Sequence, residues 1–109
     1  MSILETNTVD GIGISEDGFS AALLLADHLD WSDEYAHLIL LQDKLNAYFS
    51  FIESGQLKAR LPRRRMKGCT IEIRFRCAPT EKAVQFLQAA QKQADKLKTK
   101  IHYQVMEET

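Results

Sequence analysis

The sequence predicts an α+β fold, a two-layer sandwich in which a mixed four-stranded sheet carries two helices on one face. Three observations predict it. Apolar residues alternate over four segments, they recur at helical spacing over two longer ones, and the segments follow in the order β-β-α-β-α-β. Because strand-helix-strand crossovers are right-handed, both helices fall on the same side of a sheet that grows in one direction. With 109 residues, the chain is expected to form one domain over 1–109.

The first two strands are predicted to form a hairpin. A short strand around Val9 to Ser15 leads into Glu16-Asp17-Gly18, and Asp-Gly supplies the positive φ angles that a tight turn requires. The second strand, Phe19 to His28, is apolar on both faces. Such a strand is typical of the centre of a sheet, so we expect neighbours on both of its sides.

A long helix is predicted from Ser32 to Glu53. Ser32 or Asp30 can cap its start, and Gly55 suits the left-handed position that follows a helix. One broad apolar stripe is expected to face the core. It consists of Leu38, Leu41, Leu45, Tyr48, Phe49 and Ile52.

A second, narrower stripe on this helix predicts a contact surface. We name it the dimer stripe; Leu40, Ala47 and Phe51 form it, with Lys44 between them, on the side opposite the core face. A row of apolar side chains at helical spacing makes a patch, and such patches mark interfaces. The stripe therefore predicts a homodimer. In the alternative, the row is covered within the same chain by Leu57, Leu61 and Met66.

The second half of the chain predicts a strand over Cys69–Cys77, a helix over Thr80–Lys98 and a last strand over Ile101–Met106. Thr80 is the expected N-cap of the helix. In the last strand, the side chains expected to point inward are Ile101, Tyr103 and Val105.

The two cysteines predict a reducing compartment. Cys69 and Cys77 lie eight steps apart on one predicted strand, a span of about 26 Å. A disulfide holds its two Cα atoms within roughly 7 Å, so these residues cannot be bridged. Both are expected on the buried face as free thiols, which is typical of a cytoplasmic protein.

The hydrophobic pattern excludes a membrane span. The longest apolar run is AALLLA, whereas a spanning helix needs about 20 apolar residues. The first residues, MSILETNTVDG, lack a basic segment followed by an apolar one, so no signal peptide is predicted. We therefore expect no membrane association.

Charge is unevenly distributed, although the net charge is only −1. The first 55 residues carry ten acids and one base, and the remaining residues carry five acids and thirteen bases. Such asymmetry is typical of a nucleic-acid partner, or of two halves that complement each other. Six of the bases form what we name the basic arm: Lys58, Arg60, Arg63, Arg64, Arg65 and Lys67.

The basic arm is interpreted as a solvated connecting segment. Leu57, Ala59 and Leu61 alternate with its first two bases, a pattern that favours a short edge strand or an extended arm. It contains no aromatic residue for stacking on bases. We expect it to dock on acids of its own or a sister subunit, such as Asp27, Asp30 and Asp33, with Arg74 and Arg76 nearby; nucleic acid is the alternative partner.

The densest polar cluster follows the second strand. It comprises Asp27, His28, Asp30, Asp33 and His37. Helix capping and ion pairing account for most of these side chains. The alternative is a metal or hydrolytic site, because residues four apart on a helix, such as Asp33 and His37, can chelate an ion. Trp31 is expected to pack as a staple toward Ala36, and exposure for partner binding is its alternative.

One stretch carries a family resemblance. DHLDWSDEYAHLILLQDKLNAYFSFIESG, residues 27–55, has the pattern D-H-L-x-W, then H-L-x-x-L-Q-x-K-x-N-x-Y, then F-I-E-S-G. This pattern resembles a small family of uncharacterised bacterial proteins, a domain of unknown function. The resemblance implies a bacterial cytoplasmic protein of unassigned function, and it supplies no catalytic residues.

The function predicted from these observations is binding rather than catalysis. No Ser or Cys stands beside a His in a nucleophile arrangement, so no catalytic residue and no cofactor are predicted. We expect a non-enzymatic interaction module that acts as a homodimer and can bind a protein partner. The alternatives are a nucleic-acid-binding protein that uses the basic arm and a metal-dependent enzyme that uses the acidic and histidine cluster.

Overall fold

The computed structural model describes residues 3–61 and 67–106 and confirms the predicted α+β class and element order. The four strands lie side by side in sequence order; the first pair is antiparallel and the other two pairs are parallel. None of the helices in the described ranges is long and apolar enough to span a bilayer. The elements are β1 (Gly11–Ile14), β2 (Ser20–Asp27), α1 (Glu34–Glu53), α2 (Gln56–Arg60), β3 (Gly68–Phe75), α3 (Glu81–Asp95) and β4 (Thr99–Val105).

The turn between β1 and β2 is built by the residues that predicted it. Gly18 adopts a φ of +78°, the left-handed conformation that glycine reaches without strain. The Asp17 carboxylate accepts hydrogen bonds from the Ser15 hydroxyl at 2.6 Å and the Phe19 amide at 2.9 Å. These bonds fix the hairpin register.

Helix α1 begins at a different cap from the predicted one. The Asp33 carboxylate accepts from the Ala36 amide at 3.2 Å, whereas Asp30 accepts from the amide and hydroxyl of Ser32 just before the helix. At the other end, Gly55 has the predicted left-handed φ, +85°. The carboxylate at the helix start also suits the positive end of the helix dipole.

A short helix, α2, replaces the extended segment predicted from the alternation of Leu57, Ala59 and Leu61, and that prediction was wrong. Leu57 and Leu61 are also four residues apart, which is helical spacing. Both side chains are buried in the core, at 0 % and 2 % exposure. Burial of two leucines outweighs the weak preference for an extended chain.

The core lies between the sheet and the helices. Inward-facing side chains of β2 and β3 meet the apolar face of α1 and the buried face of α3, which starts at the predicted cap, Thr80. The side chains with at most 1 % exposure include Leu23, Leu25, Leu41, Leu45, Tyr48, Ile71, Ile73 and Phe75.

Lys44 belongs to this core, and its predicted position on an opposite face of α1 was wrong. The side chain is fully buried, and its ammonium lies 2.7 Å from the Asp10 carboxylate and 2.8 Å from the Glu5 carbonyl oxygen. Asp10 also accepts from the Ala26 amide at 2.9 Å. The buried cation therefore ties the N-terminal segment to α1 and β2.

Tyr48 extends the same network. Its hydroxyl accepts from the Asp10 amide at 2.9 Å and donates to the Leu24 carbonyl oxygen. Burial raises the pKa of Tyr48 well above its ordinary value, so the hydroxyl keeps its proton and remains a donor.

The two cysteines are free thiols, as predicted. Cys69 is buried, and burial raises its pKa to about 11. Cys77 is only half-buried, because β3 ends at Phe75 and leaves Cys77 in the following loop. The prediction of burial was therefore right for Cys69 and wrong for Cys77.

Candidate functional site

The carboxyl ends of the three parallel strands, β2, β3 and β4, lie at the same end of the sheet, where open α/β sheets often bind ligands. Asp27 is the last residue of β2, Phe75 is the last of β3, and α1 begins a few residues beyond Asp27. This carboxyl end of the sheet contains the acidic and histidine cluster predicted from the sequence, together with Trp31.

Two members of the cluster form a buried pair. The Nε2 atom of His37 lies 2.5 Å from an oxygen of Asp27, and both side chains are almost fully buried. The other ring nitrogen, Nδ1, lies 2.8 Å from the Asp30 carbonyl oxygen, so it donates there. Asp27 also accepts from the Leu29 amide at 3.1 Å. Burial raises the pKa of the Asp27 carboxyl, and the bond to His37 opposes that rise.

Trp31 covers this pair. Its ring stacks on His37 with centroids 3.6 Å apart and planes 16° apart, and its indole N–H donates to the Cys77 carbonyl oxygen at 3.3 Å. Trp31 therefore packs on His37, and its predicted packing toward Ala36 stays a prediction. Phe75 and Tyr103 continue the row of rings, with centroid distances of 6.0 Å and 5.8 Å.

The remaining members of the cluster do not converge on one point. Asp33 caps α1, His28 is exposed, and hydrogen bonds from Ser32 hold the pKa of Asp30 below its ordinary value. Across residues 3–61 and 67–106, no three His, Cys, Asp or Glu side chains are arranged to hold a metal ion. Since both ring nitrogens of His37 are engaged, the pair can hold a proton but offers no open ligand position.

The basic arm is only partly within the described ranges. Arg63, Arg64 and Arg65 lie outside them, so their predicted docking on acids stays a prediction. Lys58 is exposed. The remaining two described bases rest on aromatic rings, Arg60 5.7 Å from Phe51 and Lys67 5.0 Å from Phe19.

The cation that directly follows β3, Arg76, reaches the carboxyl end of β2, as the sequence predicted. Its backbone amide donates to the Asp27 carbonyl oxygen at 2.8 Å, and its guanidinium donates to the His28 carbonyl oxygen at 3.4 Å. Arg76 therefore joins the two strand ends through backbone carbonyl groups.

The dimer stripe is half-covered by its own chain. Leu40, Ala47 and Phe51 are all of intermediate exposure. Ala47 and Phe51 line a cleft of about 620 Å³, and its other walls include residues 6–9, Ile12 and two residues of α2. The role of the dimer stripe in self-association stays a prediction. Cover from the same chain reduces the apolar surface of the stripe that a second copy could contact.

The outer edge of β4 exposes an apolar surface that the sequence pattern did not predict. Tyr103, Val105 and Met106 are exposed by 44 %, 37 % and 47 %. Tyr103 and Val105 lie on the inward face of β4, as predicted. They are nevertheless exposed, because a side chain on an edge strand has a neighbouring strand on one side only. A terminal strand rich in apolar residues is the signal that could have revealed this surface.

The backbone of β4 is open along half of this edge. The Met106 amide points toward β3 and donates to the Phe75 carbonyl oxygen at 2.7 Å. The Ile101 amide points away from β3 and donates to the side chain of Gln91 at 2.7 Å. Because amide directions alternate along a strand, the Tyr103 and Val105 amides also point away from β3, toward the open edge of the sheet. Neither has a hydrogen-bond acceptor among the residues that the structure describes.

Comparison with known proteins places the chain in a family. No curated protein and no solved structure matches it. A family model described as "Family of unknown function (DUF6572)" matches residues 1–107. The expectation of a family without an assigned function, drawn from the stretch at 27–55, is thereby confirmed. Since the match covers nearly the whole sequence, the chain belongs to this family, DUF6572.

Proposed function

We propose that the chain is a non-enzymatic interaction module that works as a homodimer, in which two copies join along the outer edge of β4. The observation that carries this proposal is the open edge itself. Two outward backbone amides, those of Tyr103 and Val105, find no acceptor within residues 3–61 and 67–106, and three exposed apolar side chains lie beside them. An unpaired edge with an apolar flank is a ready site for another strand.

The opposite edge of the sheet supports the choice of β4. Strand β1 has only four residues, and Gly11 and Gly13 leave its outer face without side chains to pack. Strand β4 has seven residues and no glycine. A longer strand with β-branched and aromatic residues offers more hydrogen bonds and more cross-strand contact.

Other features of the chain favour binding over catalysis. His37 uses both ring nitrogens within the protein, and Trp31 lies across its ring. A general base needs a free nitrogen within reach of a substrate proton. Two of the three described bases of the basic arm contact aromatic rings of the chain, which favours a role within the protein over phosphate binding for these two side chains.

A cytoplasmic location belongs to the same proposal. Both cysteines are free, and the raised pKa of Cys69 keeps that thiol protonated and unreactive. Free buried thiols are typical of proteins that stay in a reducing compartment.

Val105→Pro tests the homodimer. Proline removes the outward amide and places its ring where a second strand would pack, yet prolines at outward positions of edge strands are tolerated by the fold. Two hydrogen bonds of about 0.5–1.5 kcal/mol each are lost from the symmetric interface, so we expect the dimer dissociation constant to rise about tenfold or more. Sedimentation equilibrium measures it, and circular dichroism checks that the variant is folded.

Val105→Thr is the matched control. Threonine keeps both the β-branched shape and the backbone amide, so its dissociation constant is expected to stay close to that of the unmodified chain. Equal dimerisation by the proline variant would contradict the proposal, as would an unmodified protein that sediments as a monomer at every accessible concentration.

A further inference from the structure

We propose that the two-fold axis of the β4–β4 dimer passes through Gln104. Gln91 on α3 sets this pairing register, because its side chain occupies the backbone hydrogen-bonding groups in the first half of the β4 edge. The inference rests on the homodimer proposed above. The position of the axis decides which residues face each other across the interface.

Gln91 occupies the place of a neighbouring strand. Its side-chain oxygen accepts from the Ile101 amide at 2.7 Å, and its side-chain nitrogen donates to the Thr99 carbonyl oxygen at 3.0 Å. A carboxamide carries the same donor and acceptor groups as a peptide bond, so it can replace one peptide of a paired strand. The same nitrogen also donates to Asp95, one helical turn away, at 2.8 Å, and this bond orients the amide.

The closed half of the edge excludes a centred pairing. Strand β4 covers Thr99–Val105, so the longest overlap of two copies would place the axis at His102. That register needs the Ile101 amide and the Thr99 carbonyl group for hydrogen bonds between copies, and both groups face Gln91. A second strand in this register would have to displace the Gln91 side chain.

An axis at Gln104 uses only the open groups. Tyr103 then lies opposite Val105 of the second copy, and each of these residues exchanges both backbone hydrogen bonds with its counterpart. The symmetric interface gains four such bonds without moving Gln91. The inward side chains form two pairs of tyrosine with valine, a favourable aromatic and β-branched combination.

Charge is compatible with the same register. On the outer face, Gln104 lies opposite its own copy and His102 lies opposite Met106 of the second copy. No two like charges of the described residues face each other, and like charges directly opposite would destabilise a pair. A second copy of this chain is therefore the occupant that we assign to the edge.

Disulfide trapping distinguishes the two registers. Gln104 and His102 are both exposed on the same face of β4, so Gln104→Cys and His102→Cys are matched variants. At the axis of an antiparallel pair, such residues lie about 4.5 Å apart at their Cα atoms, close enough for a disulfide. With Cys77→Ser as the common background, we expect about tenfold more disulfide dimer from Gln104→Cys, since the centred register loses hydrogen bonds to Gln91.

Gln91→Ala tests the role of the side chain. Combined with His102→Cys, it opens the first half of the edge and is expected to raise cross-linking at that position. Stronger trapping by His102→Cys while Gln91 is intact would overturn the register, although the β4 dimer would stand. A chain that sediments as a dimer but is trapped by neither variant would overturn the β4 interface. A monomer would overturn the homodimer itself and point to a strand of another protein.

Discussion

Replacing Lys44 with methionine is expected to lower the free energy of unfolding by about 3–5 kcal/mol, the usual cost of removing one partner from a buried ion pair. The substitution keeps the length of the side chain but leaves the Asp10 carboxylate buried without its cation. It also leaves the Glu5 carbonyl oxygen without the donor at 2.8 Å. Urea denaturation followed by circular dichroism measures the loss.

Two further variants separate the ion pair from a general effect of the substitution. Lys92→Met removes an exposed lysine from α3 and is expected to change stability by no more than about 0.5 kcal/mol. The double variant Lys44→Met with Asp10→Asn removes both charges and should recover part of the loss. A cost below about 1 kcal/mol for Lys44→Met would show that the buried network does not hold the N-terminal segment in place.

Asp27→Leu is expected to cost about 1–3 kcal/mol, whereas Asp27→Asn should cost less than about 1 kcal/mol. Leucine leaves Nε2 of His37 and the Leu29 amide without partners. Asparagine can serve both: its oxygen accepts from Leu29, and its amide donates to Nε2 when Nδ1 carries the proton. Urea denaturation of the two variants compares them directly, and an equal cost would contradict the assigned hydrogen bonds.

The pH dependence of the same pair has a definite sign. Burial raises the pKa of Asp27 in the folded state above its unfolded value of about 3.9. The stability that protonated Asp27 contributes is therefore fully present below about pH 3.9 and is lost as pH rises through the raised folded-state pKa. The stability of the unmodified chain relative to Asp27→Asn should fall over this window. A difference that increases with pH would contradict the raised pKa.

The topology could be predicted because it depends on features that are local in the sequence. The order of alternating and helical segments fixes the element order, and the right-handed crossover then fixes the side of the sheet. The start of α3 at Thr80 and the end of α1 before Gly55 could also be predicted, because both depend on the type of a single local residue. The α2 helix was missed because Leu57 and Leu61 fit both an alternating and a helical pattern, and only the position of the core decides between them.

The buried polar residues could not be placed from residue type alone. His37 and Lys44 are both buried on α1, although the sequence predicted Lys44 on the face opposite the core. The partner of Lys44, Asp10, lies far away in sequence, before β1. A buried charge becomes predictable only when its partner is known.

The exposure of the candidate interface on β4 also depends on which elements lie beside the strand in the folded chain. The sequence places Tyr103 and Val105 on the inward face of β4, and it does so correctly. Their exposure follows from β4 being the last strand of the sheet, and the closure of one half of the edge follows from a single side chain, Gln91, on the preceding helix. Neither relation is visible in the periodicity of the last strand.

Amide hydrogen exchange at Tyr103 and Val105 tests the proposed dimer most directly. Both amides should be protected at protein concentrations above the dimer dissociation constant and should exchange rapidly below it. The Ile101 amide should be protected at both concentrations, because Gln91 accepts its hydrogen bond within the monomer. A protein that is dimeric in solution but exchanges Tyr103 and Val105 equally fast at every concentration would place the interface elsewhere and contradict the account.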